Sequence, residues 1–421
     1  MSNEENSAQL TIPKWARWLF AFLALSAVVV SFVLASRQSP ARLSDFAGYY
    51  TAARILLSGD SISSLYDDDQ FKRNVKKLGL EDSTIVLYVN PPPVSFLMVP
   101  LELLKPDSAK TVWNLFTIAL AFIAVYLARD FSLVPARSGT ETLFFALLVC
   151  SIPFLRNLQR GQVYVMMTVL VLILWKGYAS RNAWLTGSSL ALLLLLKYFG
   201  WIFLITLAWE KRWKEVAATA FSLVIFFMLS VAAVGIETYR QHFIRLAASF
   251  QNLDVARSGL PSVPAFFGSI FVFDARWNPA PLANISGFAI FLTGVSLAMM
   301  LLLTLRRRVE HDPGAVVYRF SGLTVLAVLF TPLAAEHHYV LLSIPLFVVL
   351  TSIPRKDFMR ILLFAATTYL VLGWLPALSI QSSPGWMKLL SFGRLYGGIS
   401  LWFMLVLAPR VPLFPPAHHA D

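Results

Sequence analysis

Charged residues are scarce in this chain and cysteine is nearly absent. Lys, Arg, Asp and Glu together make up 14% of its 421 residues, whereas an average soluble domain carries roughly 25%. Cys150 is the only cysteine, which excludes an intramolecular disulfide and a thiolate metal site. The sequence also lacks a Walker loop, a dinucleotide-binding glycine pattern and an HExxH metal motif. These absences argue against an ATP-driven pump and indicate no cofactor, while a divalent metal is neither indicated nor excluded.

Apolar residues dominate instead. They account for 57% of the chain and form long runs such as residues 18–34, close to the roughly 17–25 residues that cross a bilayer as a helix. The sequence therefore predicts an all-α integral membrane protein with about twelve transmembrane helices, the first of them a retained anchor. The predicted crossings are residues 15–35, 108–128, 140–156, 162–177, 183–196, 199–210, 214–236, 285–305, 318–333, 338–353, 359–376 and 394–409.

The basic residues set the predicted topology. The net charge of +12 sits largely in short Lys/Arg clusters between apolar runs, as in loops held on the cytoplasmic side. We therefore expect no nucleic-acid partner, and a single membrane domain in the cell membrane whose polar chemistry lies on the outer face. Its predicted parts are a cytoplasmic N-terminal tail (1–14), a first outer loop (37–107), a second outer loop (237–284) and a cytoplasmic C-terminal tail (410–421).

Three shorter segments carry further expectations. Tyr49 to Leu57 has aromatic and aliphatic residues at helical spacing and predicts a surface helix. Residues 91–104 are apolar but short, which favours an interfacial or re-entrant helix over a full crossing. Residues 183–210 have basic flanks at both ends, so they are predicted to break at Lys197 into two short crossings.

Asp45 follows the first predicted crossing and opens the first outer loop. A carboxylate beside an apolar wall can act as a general base for an attacking hydroxyl, because partial desolvation tunes its charge state. The alternative is an N-cap that satisfies the first amides of a helix. Composition alone favours the cap.

The segment Arg156 to Gln162 places two arginines and several amides beside Gly161, at the predicted outer end of one crossing. Arg156, Arg160, Asn157 and Gln162 could together cradle a phosphate group. The alternative is that the arginines extend to lipid headgroups. Their position on the outer side departs from the positive-inside trend, which favours a function.

Lys197 and the string Glu336-His337-His338 are the remaining candidates. An ammonium among leucines is costly in lipid and suggests a function, although the side chain could also extend to the interface. Adjacent histidines on a helix point about 100° apart, so we expect one imidazole to contact a phosphate or orient the base. The alternative is a plain polar helix terminus. His242 has no evident partner in the sequence and looks incidental.

Taken in order, these residues resemble glycosyltransferase family 87. The resemblance covers most of the chain, and its motifs are specific in combination. They are Asp45-Phe46, Tyr49-Tyr50, Ala52-Ala53-Arg54, Asn90-Pro91-Pro92, Arg156-Asn157-Leu158, Gly161-Gln162, Lys197 and Glu336-His337-His338-Tyr339.

The resemblance implies a GT-C-like bundle of helices that transfers a hexose, mannose in the first instance, from a polyprenyl-phosphate donor to a lipid or glycan acceptor at the outer face. It also implies inversion at the anomeric carbon. Two alternatives are a transporter or flippase of lipid-linked sugars, and a glycan polymerase or ligase with a diphosphate donor. The implied roles are a general base for Asp45, phosphate binding for Arg156, Arg160 and Lys197, phosphate positioning for His337 or His338, and substrate contacts for Tyr49, Tyr50, Asn157, Gln162 and Glu336.

Overall fold

The computed structural model describes residues 12–37, 43–58, 65–80, 88–129, 139–251, 259–306, 313–352, 358–375 and 385–407. These residues are helical apart from their connections and contain no β-strand beyond an isolated bridge between Asp274 and Asn278. The all-α prediction is confirmed for them. The predicted tail 410–421, most of the tail 1–14 and parts of both predicted outer loops lie outside the described residues.

Eighteen α-helices and three 3-10 helices lie within the described ranges. The 3-10 helices are Val99–Leu101, Glu336–Leu342 and Gly385–Phe392. The α-helices are α1 (Lys14–Arg37), α2 (Ser44–Ser58), α3 (Asp68–Lys77), α4 (Pro92–Phe96), α5 (Pro106–Ala128), α6 (Thr140–Val149), α7 (Ile152–Arg160), α8 (Tyr164–Ala179), α9 (Ala183–Lys197), α10 (Trp201–Trp209), α11 (Trp213–Val234), α12 (Ile236–Gln251), α13 (Val263–Phe271), α14 (Ser286–Leu305), α15 (Pro313–Leu329), α16 (Ser343–Thr351), α17 (Phe358–Gly373) and α18 (Gly393–Leu407).

Five helical segments in the described residues are long and apolar enough to cross a membrane: α1, α5, α11, α14 and Met387–Leu407. The pair α6 and α7 would make a sixth, although it bends by 57°. The bend falls where Pro153 lacks the amide hydrogen needed to continue α6, so the predicted crossing 140–156 is not one straight helix. These segments identify a membrane protein. Twelve crossings would also need the shorter apolar helices, and that number stays a prediction.

The first predicted outer loop does contain short helices, but α2 is not a surface helix as its pattern predicted. Phe46, Tyr49, Ala53 and Ile55 are buried, because α2 packs against α3, α4, α7 and the 3-10 helix Val99–Leu101. The aromatic stripe that suggested a surface helix is therefore covered by the rest of the loop and by α7. The predicted helix at 91–104 is divided between α4 and that 3-10 helix.

The chain divides into two compact units, each described by itself. The Asp45 unit comprises Leu25–Ala124 and Ile152–Leu253. Within it, α9 packs against α8 and α11 at small residues. A Cβ atom on Gly187 would lie 2.5 Å from the backbone of Ala218, and one on Gly177 would lie 2.6 Å from that of Thr186. Such contacts let backbones approach closely, as in membrane helix pairs, and they hold the first half of α9 between α8 and α11.

The Glu336 unit comprises Met1–Ala24, Val125–Ser151 and Asp254–Asp421. Its centre is α16, all of whose residues are buried, with α15, α17 and α18 packed around it. Gly398 of α18 packs against Leu329 of α15, where a Cβ would come within 2.6 Å of a leucine methyl. The indole of Trp402 donates a hydrogen bond of 2.9 Å to Thr304 of α14. These contacts hold the middle of α18 against α15 and α14.

Candidate functional site

Asn157 shapes the turn between α7 and α8. Its side chain is fully buried: Nδ2 donates to the Pro153 carbonyl at 2.9 Å and Oδ1 accepts from the Tyr164 amide at 3.2 Å. Its own carbonyl accepts from the Gln162 amide at 2.9 Å. Both ends of this side chain are thus occupied by backbone groups, and the turn that they hold presents Gln162.

Asp45 lies in the first turn of α2, and its carboxylate faces the turn between α7 and α8. Oδ2 accepts a 2.6 Å hydrogen bond from Gln162 Nε2, and Gln162 Oε1 accepts one of 2.8 Å from the Tyr49 hydroxyl. Arg160 Nη1 lies 3.7 Å from the same carboxylate oxygen. The Asp45 side chain keeps 26% of its surface exposed, so an incoming group can reach it.

Lys197 is the last residue of α9, which ends because Tyr198 adopts a left-handed conformation with φ of 52°. Its ammonium donates to the Tyr49 hydroxyl at 3.0 Å and to Asn90 Oδ1 at 2.5 Å. It also lies 5.5 Å from the ring centre of Tyr49 and 5.6 Å from that of Tyr164. Lys197 therefore points into the Asp45 unit, where oxygen atoms and aromatic faces solvate its charge.

Hydrogen bonds and one ion pair link these side chains in a continuous series. We call this set the polar cluster: Asn90, Lys197, Tyr49, Gln162, Asp45 and Arg160. Tyr49 is central to it, and burial followed by the nearby Asp45 charge raises the pKa of its hydroxyl. The hydroxyl therefore keeps its proton and donates to Gln162, which in turn donates to Asp45.

Lys110 and Asn90 join this region although the residues themselves gave little reason to choose them. Lys110 is 5% exposed, donates to the Gln159 carbonyl at 2.9 Å and lies 5.4 Å from the ring centre of Phe46. The signal that could have found it is a lysine in the first turns of the predicted crossing 108–128. Asn90 belongs to the Asn90-Pro91-Pro92 motif of the resemblance, but that motif assigned it no role in the site.

His242, which looked incidental in the sequence, lies behind the turn that carries Lys197. It is 1% exposed, its Nε2 is hydrogen-bonded to the Tyr198 hydroxyl, and its ring packs against Tyr66 with centroids 4.9 Å apart. Burial lowers the pKa of His242 to about 4, so the ring is neutral at neutral pH. Through its hydrogen bond to the Tyr198 hydroxyl, His242 helps to hold Tyr198, the left-handed residue that follows Lys197.

Arg156 and Tyr50 were also predicted to contact substrate. Arg156 lies on the same face of α7 as Arg160, and its Nη1 donates to Gln159 Oε1 at 2.7 Å. Tyr50 is buried and its hydroxyl donates to the Leu104 carbonyl at 2.7 Å. Arg156 thus belongs to the basic face beside the polar cluster, whereas Tyr50 ties α2 to the end of the first predicted outer loop.

Glu336, His337 and His338 lie together in the Glu336 unit. The carboxylate of Glu336 forms an ion pair with Arg394, and His338 Nδ1 lies 2.9 Å from the Ala335 amide. The two imidazoles do not diverge as expected: their centroids are 4.7 Å apart and their planes are inclined by 25°. Both residues lie in the 3-10 helix Glu336–Leu342, and their buried rings stack on each other. No group of three or more metal-binding side chains is found among the described residues.

Substituting Gly161 by alanine is expected to destabilise the turn beside Asp45. Its φ is 63°, and an added Cβ would lie 2.7 Å from Phe46 Cβ and 2.9 Å from Lys110 Nζ. Overpacking of this kind costs about 1–3 kcal/mol, in addition to about 1–2 kcal/mol for a left-handed alanine. The measurement is thermal unfolding of the purified chain in detergent.

Gly79→Ala is the matched control, because Gly79 has a φ of 66° and no atom within 4 Å of the added Cβ. The Gly79→Ala variant has the free-energy cost of a left-handed alanine but no steric overlap of the added Cβ. We expect Gly161→Ala to lower the unfolding temperature clearly more than Gly79→Ala does. Equal shifts would show that the close approach of α2, α5 and the α7–α8 turn is absent in solution.

Comparison with known proteins agrees with the resemblance seen in the motifs. The sequence profile of glycosyltransferase family 87 matches residues 88–332, more than half of the chain. The matched range includes Asn90, Lys110, the α7–α8 turn and Lys197. A search of curated proteins returned no match. The chain belongs to glycosyltransferase family 87, and it is a membrane glycosyltransferase.

Proposed function

We propose that the protein transfers a hexose, mannose in the first instance, from a polyprenyl phosphate to a lipid or glycan acceptor on the outer side of the cell membrane. The observation that carries this proposal is the polar cluster, in which one reachable carboxylate lies beside cationic side chains. A base and cations in one place are what an acceptor hydroxyl and a leaving phosphate require.

Asp45 would act as the general base. As its carboxylate takes the proton of the acceptor hydroxyl, the oxygen forms a bond to the anomeric carbon and the bond from that carbon to the donor phosphate breaks. Attack from the face opposite the phosphate inverts the anomeric configuration. Gln162 fixes one carboxylate oxygen at 2.6 Å, which orients the base without protonating it.

The leaving phosphate requires positive charge. Arg160 and Lys197 belong to the polar cluster, and Arg156 and Lys110 adjoin it through Gln159. These four basic side chains outnumber Asp45, the acidic member of the cluster. This excess favours an anionic ligand. Arg160 is 44% exposed on its side chain and is the best placed to meet a phosphate that enters from outside.

Family membership favours transfer over the transport of lipid-linked sugars. A diphosphate-linked donor, as in a polymerase or ligase, remains the competing substrate. Tyr49, Asn157, Gln162 and Tyr50 would shape the site rather than react, because their polar atoms bond to protein groups. The phosphate roles of His337 and His338, and the substrate contact of Glu336, stay predictions drawn from the sequence.

The test is transfer of radiolabelled mannose from synthetic polyprenyl-phosphate-mannose to a membrane lipid extract by the purified protein. A labelled product whose anomeric configuration is opposite to that of the donor supports the proposal. Product only from a polyprenyl diphosphate donor would favour the polymerase or ligase alternative. Donor binding without product from any donor would contradict the proposal.

Arg160→Gln is expected to raise the KM for the polyprenyl-phosphate donor by about 10- to 100-fold. A hydrogen bond to a charged group contributes about 1.5–3 kcal/mol, and each 1.4 kcal/mol corresponds to about tenfold in affinity. The same reasoning applies to Arg156→Ala. Steady-state kinetics with varied donor measures the effect, and Arg240→Gln is the control because Arg240 forms an exposed ion pair with Glu237 of its own helix. An unchanged donor KM would move the phosphate contact elsewhere.

A further inference from the structure

Arg394, the second residue of α18, is a buried cation outside the polar cluster. It is 4% exposed. Its Nε donates to the Leu372 carbonyl at 3.3 Å and its Nη1 pairs with the Glu336 carboxylate. Its Nη2 is shielded from solvent and has no hydrogen-bond partner among the described residues. A guanidinium cannot shed its charge at accessible pH, so this unmet donor is costly unless something else accepts from it.

Arg394 is also one of the residues that line a cleft. The cleft is open to solvent, and its lining residues belong wholly to the Glu336 unit. It is lined by Gly259, Pro261, Leu375, Leu390, Ser391, Gly393 and Arg394.

The charge of the surrounding segment is positive. Lys388 is fully buried in the 3-10 helix before α18, and its ammonium is hydrogen-bonded to the neutral oxygen of Asn278. Glu336 neutralises one cation, Arg394, and leaves the charge of Lys388 without an acidic partner among the described residues. Two buried cations against one carboxylate favour the binding of an anion.

We propose that the Arg394 cleft binds a phosphate group, which accepts a hydrogen bond from the unpartnered Nη2. The group could be free phosphate or the headgroup of a lipid, since Arg394 lies within the membrane-spanning segment Met387–Leu407. This site is separate from the donor phosphate contacts proposed for Arg156, Arg160 and Lys197. It does not depend on the proposed transfer reaction.

The experiment counts bound phosphate on the full chain in two arms. The first is equilibrium dialysis of the detergent-purified protein against labelled orthophosphate at constant ionic strength. The second is native mass spectrometry of the protein released from phosphatidylcholine nanodiscs with and without phosphatidic acid. The test variant is Arg394→Gln combined with Glu336→Gln, because neutralising both partners avoids leaving a lone carboxylate. Arg394→Gln alone is measured as well.

The matched control is Arg129→Gln combined with Glu141→Gln, an arginine–glutamate pair of the same unit with the arginine half exposed. The Arg394 variants are expected to bind one phosphate, or one phosphatidic acid, fewer per chain than the parent and the control. If the Arg394 variants bind less orthophosphate in the dialysis arm, free phosphate is a ligand of the cleft. If they bind less only in the phosphatidic acid arm, the ligand is a lipid headgroup. Unchanged binding in both arms overturns the proposal, whether or not the protein transfers sugar.

Discussion

Asp45→Asn is expected to reduce sugar transfer by about 10²- to 10⁴-fold, the usual contribution of a general base. Asparagine preserves the volume of the side chain and an oxygen that can accept from Gln162 Nε2, which now bonds to Asp45 at 2.6 Å. It cannot take a proton from the acceptor hydroxyl. The unfolding temperature and the donor affinity should therefore stay close to those of the parent. Transfer kinetics, thermal unfolding and donor binding measure the three quantities.

Asp67→Asn is the matched control for the base. Asp67 lies in the same predicted outer loop and caps α3 by accepting from the amides of Asp69 and Gln70 at 3.0 and 2.9 Å. Those hydrogen bonds, that of Gln70 first, lower the pKa of Asp67. Asparagine caps helices about as well as aspartate, so this variant should retain full transfer activity. Near-parental activity of Asp45→Asn would exclude Asp45 as the base.

Much of the polar cluster was predictable because it consists of costly residues. Lys197 lies in a run of leucines, where an ammonium is costly. The two arginines depart from the positive-inside trend, so each of these residues pointed to a function before any geometry was known. The break of the helix at Lys197 was also predicted, from the basic flanks on either side. The structure brings Asp45, Tyr49, Arg160, Gln162 and Lys197 together as the motifs suggested.

Other features depended on long-range packing that the sequence does not encode locally. α2 has the pattern of an amphipathic surface helix, and its burial depends on α3, α4 and α7 covering its outer face. Lys110 is adjacent to the cluster because Gly161 lets α5 and α2 approach the α7–α8 turn. His337 stacks on His338 within a 3-10 helix, and the about 100° spacing of an α-helix gave no sign of that arrangement.

Lys197→Met is expected to lower transfer by about 10²- to 10³-fold, the typical cost of removing one preorganised group that stabilises developing charge. Methionine keeps much of the length and apolar stem of the lysine and removes the ammonium. The hydrogen bonds to Tyr49 and Asn90 are lost with it. The measurement is transfer kinetics with varied donor, and Lys72→Met, an exposed lysine of α3, is the control expected to change nothing.

The stability of Lys197→Met separates a functional role from a structural one. A buried charge is costly to desolvate, and replacing one by an apolar side chain of similar volume is often neutral or stabilising. If Lys197 is kept for catalysis, the methionine variant should therefore be inactive yet unfold at the same or a higher temperature than the parent. If Lys197 instead serves to hold α9 against α2 through Tyr49 and Asn90, the variant should unfold at a lower temperature, and its loss of activity would follow from misfolding. An inactive but equally stable variant would thus place the ammonium at the leaving phosphate.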